Sequence, residues 1–381
     1  MKKFIALIAI ALFCSLVTFS QSPGTKKYPA DYYADGKAYE AKKEYKKALD
    51  AFKIAISANP SYLGAYIEAG WCCNELGKYT DALYYLEKAR TLGPSESKIH
   101  FEIGYANQML GKYAEAVKAF DRCIELNKDY KSAYKYRGEA YYGLENFGKA
   151  LEDFSIYEIY QPDITSDKFY FRKGYCLNDA GKYSDAVIAL NNAARLNKEN
   201  ASTFDELGYA FYKLKIADSA IEKYNRSIVA DPGSYVPYLG LGDVNKELKK
   251  DYAEALKYFL KAIVLNPDNK KAQYGAGWCY NEKAQYNDAL TYLSKAVALD
   301  KNYNNAIIEL GYCYYSLQRY NEALNEFKKS MGIQKSALPY YYSGLCYIAL
   351  KSKEDALKMV TELESIKPEY AEKLRASIDK M

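Results

Sequence analysis

Residues able to do acid–base or nucleophilic chemistry are few in this sequence and are not arranged for catalysis. His100 is the only histidine, so a Ser-His or Cys-His triad would rest on this one side chain. Its position in a repeating pattern holds Tyr66, Tyr134 and Tyr170 elsewhere, which favours helix packing over proton transfer. No phosphate-binding G-x-x-x-x-G-K-[ST] loop is present. The sequence therefore predicts no enzyme activity and gives no reason to expect a cofactor or a metal ion.

Cysteine is the second residue type with reactive potential. Five cysteines lie two residues after a regularly spaced glycine, in a position that holds alanine or valine elsewhere. Because a buried free cysteine behaves as a small apolar residue, we expect core packing, with redox or metal roles as the alternative. The adjacent pair Cys72-Cys73 lacks the C-x-x-C spacing of a zinc site. After residue 20 the cysteines are Cys72, Cys73, Cys123, Cys176, Cys279, Cys313 and Cys346.

Aromatic and amide side chains form the most regular chemical pattern. Six of the ten residues that directly follow the spaced glycines are aromatic: Trp71, Tyr105, Tyr175, Tyr209, Trp278 and Tyr312. Three residues further on lie Asn74, Gln108, Asn178 and Asn281. Amides both donate to and accept from an extended peptide backbone, and aromatic neighbours add apolar contact and exclude water. We expect these ten residues to line a ligand groove; packing between repeats is the alternative.

An internal repeat positions these residues. Glycine recurs at intervals of 33 to 36 residues, and an alanine follows each of these marker glycines after twelve or thirteen positions. A period in the thirties predicts stacked supersecondary units instead of one globular core. The marker glycines are Gly36, Gly70, Gly104, Gly138, Gly174, Gly208, Gly242, Gly277, Gly311 and Gly344.

Each unit reads as two antiparallel helices joined by a tight turn. In the unit 201–234, apolar residues at helical spacing form one face before the turn and another face after it. Asp231-Pro232 ends the second helix, because proline cannot continue it. Glycine inside a helix costs about 1 kcal/mol relative to alanine. We expect that its lack of a side chain allows the two helices to approach closely, with the alanine doing the same from the second helix.

The pattern of this unit resembles that of the tetratricopeptide repeat family, W-x2-L-G-x2-Y, then A-x3-F, then P. The matching residues are Phe204, Leu207, Gly208, Phe211, Ala220, Tyr224 and Pro232. The resemblance implies an all-α, right-handed superhelical solenoid whose concave groove is lined mainly by the first helix of each unit. A capping helix is expected over residues 371–381. The ten units are 29–62, 63–96, 97–130, 131–164, 167–200, 201–234, 235–269, 270–303, 304–336 and 337–370.

One mode of this family, the carboxylate clamp for peptide C-termini, is incomplete here. Lys168 and Arg172 match its last pair, but Phe101, Tyr105 and Tyr136 replace its other residues. What remains is a basic cluster beside a two-residue insertion near 164–166. It is either an anion patch or a solvated, loosely packed joint. Its members are Lys135, Arg137, Lys168, Arg172 and Lys173.

The first twenty residues resemble a cleaved secretory signal: Lys2 and Lys3 precede an apolar run, and Thr18-Phe19-Ser20 places small residues at a cleavage site. A linker is expected over 21–28. An uncleaved anchor is one alternative, and a lipoprotein at Cys14 is disfavoured because Phe13 is large.

The net charge of +5 is too small to indicate a nucleic-acid partner or a membrane surface. No apolar stretch after the first twenty residues is long enough to cross a membrane, so we expect no membrane span after signal cleavage. The protein should be exported to the periplasm or cell surface of a bacterium. We expect a non-catalytic adaptor that binds proteins or extended peptides, within an envelope complex. Carbohydrate binding is the second hypothesis and an unfamiliar enzyme is the third.

Overall fold

A computed structural model describes residues 27–380, and all regular secondary structure in that range is helical. Helices α1–α20 form successive pairs of an odd-numbered first helix and an even-numbered second helix, which are called repeats 1–10 below, and α21 follows the last pair. The expected signal over 1–20, Cys14 and most of the linker lie outside the described residues. In chain order the helices are α1 Pro29–Ala41, α2 Tyr45–Ala58, α3 Leu63–Glu75, α4 Tyr79–Leu92, α5 Ser97–Met109, α6 Tyr113–Leu126, α7 Lys131–Gly143, α8 Phe147–Tyr160, α9 Asp167–Asp179, α10 Tyr183–Leu196, α11 Ala201–Lys213, α12 Ala217–Ala230, α13 Val236–Val244, α14 Tyr252–Leu265, α15 Lys270–Glu282, α16 Tyr286–Leu299, α17 Asn304–Ser316, α18 Tyr320–Ile333, α19 Ala337–Ala349, α20 Lys353–Ile366 and α21 Pro368–Ile378.

The described helices fall into two compact units with a boundary after Pro162, beside the two-residue insertion. The first unit holds repeats 1–4 and the second holds repeats 5–10. Within each unit the two helices of one repeat pack together, and each second helix also packs on the next first helix. This is the all-α repeat architecture that the periodicity predicts.

The marker glycines admit a large side chain from the second helix of the same repeat. A Cβ added to Gly104 would lie 2.6 Å from the Phe120 ring, which is fully buried. Most other repeats show the same contact with Phe, Leu or Tyr. The expectation of close packing is confirmed, but the partner is the residue four positions after the alanine and not the alanine itself.

A single residue in the left-handed conformation makes the turn between the two helices of each repeat. Only Gly77, Gly111 and Gly181 fill this position with glycine. A residue with a Cβ pays roughly 1–2 kcal/mol for this backbone conformation. The other seven repeats use Lys43, Glu145, Lys215, Lys250, Ala284, Gln318 and Lys351.

Two repeats depart from the common pattern. The seventh has one extra residue after its marker glycine, and a π-helical turn over Asn245–Lys249 absorbs it. In the tenth, the position of the large side chain holds Val360, and Leu374 from α21 packs against Gly344 instead. Helix α21 begins at Pro368, three residues before the expected cap, because proline fits the first helical position.

All seven cysteines in the described range are free and buried, which confirms the packing interpretation. Burial raises the pKa of the Cys73 thiol to about 11 and that of Cys176 to about 12. Thiols in such surroundings are poor nucleophiles at neutral pH.

Candidate functional site

The aromatic residue after the marker glycine packs against the preceding repeat at five junctions. Trp71 meets the ring of Tyr45 edge-on, with centroids 5.4 Å apart, and Trp278 meets Tyr252 at 5.1 Å. Tyr105, Tyr209 and Tyr312 make the same T-shaped contact at 6.1–6.4 Å. These rings are half-buried, except Tyr209, which is 39% exposed. Each ring is therefore fixed by packing and still presents part of its surface to solvent.

The three asparagines of the pattern bridge adjacent repeats. The Asn74 amide nitrogen donates to the Glu102 backbone oxygen at 3.2 Å and to its carboxylate at 2.7 Å. Asn178 makes the same two bonds to Glu206, and Asn281 makes them to Glu309. Every pair is 28 residues apart in sequence. These Asn–Glu pairs tie the first helix of one repeat to the first helix of the next.

This bonding changes the role assigned to the asparagines. All three are buried, at 3–4% exposure, and their amide nitrogens are already used within the protein. They do not present a donor and an acceptor to an extended peptide, because repeat contacts cover them. Each amide oxygen is buried without a hydrogen-bond partner. Gln108, in the same position of repeat 3, instead donates to the Glu139 carboxylate at 3.0 Å.

Burial also changes the acidity of the paired glutamates. It raises the pKa of Glu102 to about 7, against the hydrogen bond from Asn74 and the charge of Lys98, which act in the opposite direction. Burial likewise raises the pKa of Glu206 and of Glu309, each opposed by its asparagine. Neutral amides therefore orient these carboxylates. Nearby positive charge is too weak to bring the raised pKa values back down to the usual value of a glutamate.

A cavity of about 380 Å³ brings several of these residues together in the second unit. Three tyrosines and two carboxylates line it, together with Asn178 and Lys271. Lys271 comes from α15, two repeats beyond α11, so first helices of separate repeats converge here. We call the surface on this side of the first helices the inner face. The tyrosines and carboxylates are Tyr175, Tyr183, Tyr209, Asp179 and Glu206.

The inner face at repeats 7 and 8 holds one of the protein's own cations. The Lys246 ammonium lies 5.5 Å from the Trp278 ring centre and 5.6 Å from that of Tyr274. It is also 3.4 Å from the Glu247 carboxylate and 3.7 Å from that of Asp243. Only 12% of the Lys246 side chain is exposed. Aromatic faces and carboxylates together retain this ammonium.

Asp243 shows how the inner face desolvates a charge. Although 36% of its side chain is exposed, burial raises its pKa to about 6, while the charge of Lys246 acts to lower it. The charge of Lys271 also acts to lower this pKa.

In the first unit, Arg137 of the basic cluster is paired with carboxylates. The Arg137 guanidinium donates to both Asp153 oxygens, at 2.8 and 2.7 Å, and to Asp121 at 2.6 Å. Burial alone would lower the pKa of Arg137, but these carboxylates outweigh it and raise the pKa. Arg137 is therefore neutralised within the protein, which corrects its assignment as an anion ligand. Lys135 lies 5.1 Å from the Tyr136 ring in the same unit. Lys168, Arg172 and Lys173 belong to the second unit.

His100 has a structural role, as its repeat position predicts. It is buried, and its Nε2 lies 2.9 Å from the Pro94 carbonyl oxygen. Gln273 occupies the same position in repeat 8 and donates to the Pro267 oxygen at 2.8 Å. Both side chains satisfy the carbonyl of the proline that ends the preceding repeat.

Sequence reasoning missed the carboxylates and second-helix tyrosines of the site. Three repeats carry an asparagine four residues after the marker glycine. In each case, the next repeat carries a glutamate two residues before its own marker glycine: Glu102, Glu206 or Glu309. This covariation within one chain was a usable signal. Tyr183, which begins α10, and Lys271 carry no such signal, because only the packing of repeats brings them to the cavity.

Two tetratricopeptide repeat models match this chain, one over residues 33–97, 177–235 and 249–304 and another over 97–130. A model for "Anaphase-promoting complex, cyclosome, subunit 3" matches residues 282–363. The two tetratricopeptide models together cover more than half of the chain. The chain is built from tetratricopeptide repeats, a fold typical of protein–protein interaction scaffolds that are generally non-catalytic.

Among individual proteins, mouse (Mus musculus) DnaJ homolog subfamily C member 7 is 22% identical over 269 residues, which are 65% of this chain and 54% of that protein. The human (Homo sapiens) protein is 22% identical over 69% of this chain and 59% of its own length. The chain thus spans little more than half the length of the curated relatives it matches. A solved structure of PilF from Pseudomonas aeruginosa has a TM-score of 0.50 at 18% identity, covering 55% of this chain and 96% of that chain. This likeness supports the fold alone.

Between residues 27 and 380, no helix has both the length and the apolar character needed to span a bilayer.

Proposed function

We propose that this protein is a non-catalytic adaptor that binds an extended segment of a partner protein along the inner face of its repeats. The observation that supports this proposal is the set of aromatic residues held edge-on at two junctions of the first unit and three of the second. Rigid aromatic side chains supply contact area at a small entropic cost, because packing has already fixed their rotamers. Within each unit these rings lie on first helices of different repeats, which suits an extended ligand that contacts more than one repeat.

The site chemistry favours a protein segment over a sugar. Tyrosine and tryptophan could stack on either, but the amides that would hydrogen-bond sugar hydroxyls are used between repeats. The cavity in the second unit is lined by tyrosines, carboxylates, one lysine and Asn178, whose amide nitrogen is bonded to Glu206. Such a lining suits the mixed apolar and charged side chains of a peptide.

The two tryptophans provide a direct test, because they are the only ones in the chain and each lies on the proposed binding face of its own unit. A partner captured from the envelope fraction is identified, and overlapping synthetic peptides of its sequence are titrated while tryptophan fluorescence is recorded. We expect a saturable change in emission. Trp71→Ala together with Trp278→Ala leaves no tryptophan, so its binding is measured by calorimetry beside the wild type. This variant should bind at least about tenfold more weakly, as removal of aromatic anchors does at other interfaces.

The matched control for this test is Tyr84→Ala. Tyr84 is an aromatic residue on α4, a second helix, and it is 60% exposed. Its substitution should leave the affinity unchanged. Wild-type affinity in the double tryptophan variant would refute the proposed groove, and binding on a glycan array without any peptide binding would favour the carbohydrate alternative.

We also propose that the protein acts outside the cytoplasm, in the periplasm or at the cell surface, as part of an envelope complex. The support is the sequence of residues 1–20, with its basic start, apolar run and small residues before Gln21. Fractionation of the producing bacterium, followed by N-terminal sequencing, tests this proposal. A mature chain beginning at or near Gln21 in the envelope fraction is expected; a full-length cytoplasmic chain would contradict it.

A further inference from the structure

The cavity at repeats 5 and 6 has the composition of a site for a positively charged side chain. Tyr175, Tyr183 and Tyr209 supply aromatic surface, and Asp179 and Glu206 supply negative charge. Its volume of about 380 Å³ lies within the range of ligand sites in proteins, roughly 300–1,000 Å³. Aromatic faces attract cations through their quadrupoles, and carboxylates add direct Coulomb attraction.

The carboxylate of Glu206 is oriented but not neutralised. Asn178 donates to one of its oxygens at 2.8 Å and also holds the backbone oxygen of the same residue. An amide supplies a hydrogen bond without a positive charge, so the negative charge of Glu206 remains available to a ligand. Asp179 is exposed beside it.

Two cations of the protein lie near this cavity, and neither closes it. Lys271 lines the wall, and its ammonium is not in an ion pair with either cavity carboxylate, Asp179 or Glu206. The ammonium of Lys213, an exposed residue, lies 5.8 Å from the Tyr183 ring and 5.9 Å from that of Tyr209. The tyrosine pair therefore already attracts an ammonium. Because Lys213 is exposed, its long side chain can move away without leaving a buried charge unpaired.

Another junction of the same unit supplies an internal precedent for cation binding. At repeats 7 and 8, the Lys246 ammonium lies over Trp278 and Tyr274 and close to Glu247, with only 12% of its side chain exposed. At repeats 5 and 6 the residue in the position of Lys246 is Asn178, which carries no charge. The junction of repeats 7 and 8 thus contains its own cation. The junction of repeats 5 and 6 presents similar groups but has no lysine at the equivalent position.

We propose that the cavity at repeats 5 and 6 receives a lysine or arginine side chain of the partner segment. This inference rests on the proposed function, since it specifies which residue the bound segment must carry. It predicts a positional requirement for a basic residue, in addition to general binding along the aromatic positions.

A phage-displayed library of random twelve-residue peptides tests the inference with the full-length mature chain. Enrichment of peptides that share one lysine or arginine is the expected result. A representative peptide and its Lys→Gln version are then titrated by calorimetry, and the substitution should weaken binding about tenfold. Recovered peptides without a basic preference would overturn this inference and leave the proposed function intact. Recovery of no binding peptide would overturn both.

Neutral variants of the cavity locate the effect. Asp179→Asn with Glu206→Gln should weaken the lysine peptide about tenfold and leave the Gln peptide unchanged. Glu206→Gln keeps an oxygen to accept the Asn178 bond, so folding should be preserved. The matched control is Glu309→Gln, which alters the equivalent pair with Asn281 outside this cavity. An equal loss in the control, or no loss in the cavity variant, would refute the assignment.

Lys213→Ala provides an independent measurement. If the tyrosine pair contributes to the cation site, removing its present ammonium should strengthen binding of the lysine peptide and leave the Gln peptide unaffected. Unchanged or weaker binding of the lysine peptide by this variant would contradict the role of Tyr183 and Tyr209.

Discussion

Gly104→Ala is predicted to destabilise the third repeat. The added Cβ would lie 2.6, 2.7 and 2.9 Å from three atoms of the Phe120 ring, well inside ordinary contact distance. Because that ring is fully buried, it cannot move into solvent to relieve the contact. Overpacking costs about 1–3 kcal/mol, and a value near the upper end is expected here. Alanine regains about 1 kcal/mol of helix propensity, so the net loss should be about 2 kcal/mol.

Gly332→Ala is the matched control. Gly332 lies inside α18, and an added Cβ would meet nothing within 4 Å. Only the propensity gain remains, and it should stabilise the protein by about 0.5 kcal/mol, since the position is near the helix end. The two identical substitutions are therefore expected to have opposite signs.

Urea unfolding followed by circular dichroism measures the global effect of both variants. Repeat arrays can unfold locally, so hydrogen exchange of amides in α5 and α6 supplies the local measurement. Exchange there should accelerate in Gly104→Ala and remain unchanged in Gly332→Ala. If Gly104→Ala is as stable as Gly332→Ala, the close contact is not what places glycine at the marker position.

Three further predictions concern turns, thiols and pH. Ala284→Gly should stabilise the protein against urea by about 1 kcal/mol, because Ala284 has a φ of +57°, which glycine adopts without a Cβ penalty. A thiol reagent should titrate almost none of the seven mature cysteines in the native protein and all seven after denaturation, since all are free and buried. The pKa of Glu102 is about 7 in the folded protein and near its usual 4.5 in the unfolded chain, so the folded state binds this proton more tightly. The free energy of unfolding should therefore fall as the pH rises from about 4.5 to 7. Glu102→Gln should remove that part of the pH dependence, measured as urea midpoints at several pH values. A pH dependence identical to that of the wild type would contradict the raised pKa.

The periodic glycines and alanines predict the helices because the same contact between a first and a second helix recurs along the chain. A repeated glycine has few explanations other than close approach, and the structure supplies one at Gly104. The paired helices and the structural role of His100 both follow from comparing equivalent positions. This comparison works without any related sequence, since the repeats serve as references for one another.

Other features depend on tertiary packing that local sequence does not express. Lys43 and Gln318 adopt the left-handed turn although neither residue favours it, because the flanking helices fix the chain direction. Asn74 was expected to face a ligand, since sequence spacing gives a helix face but not the distance to the next repeat. Lys271 reaches the cavity from two repeats away, and only the stacking of helices determines that.

The Asn–Glu pairs also imply that the repeats are not interchangeable parts. Asn178 needs the glutamate of the following repeat; the seventh repeat offers Gly240 at that position and the eighth offers Gly275. Exchanging the sixth repeat for either would remove the carboxylate that accepts from the buried Asn178 amide and leave only a backbone oxygen as acceptor, at a cost of about 1 kcal/mol. The contacts between adjacent repeats therefore depend on the order of the repeats. An array with the sixth repeat exchanged in this way should be less stable than the natural one.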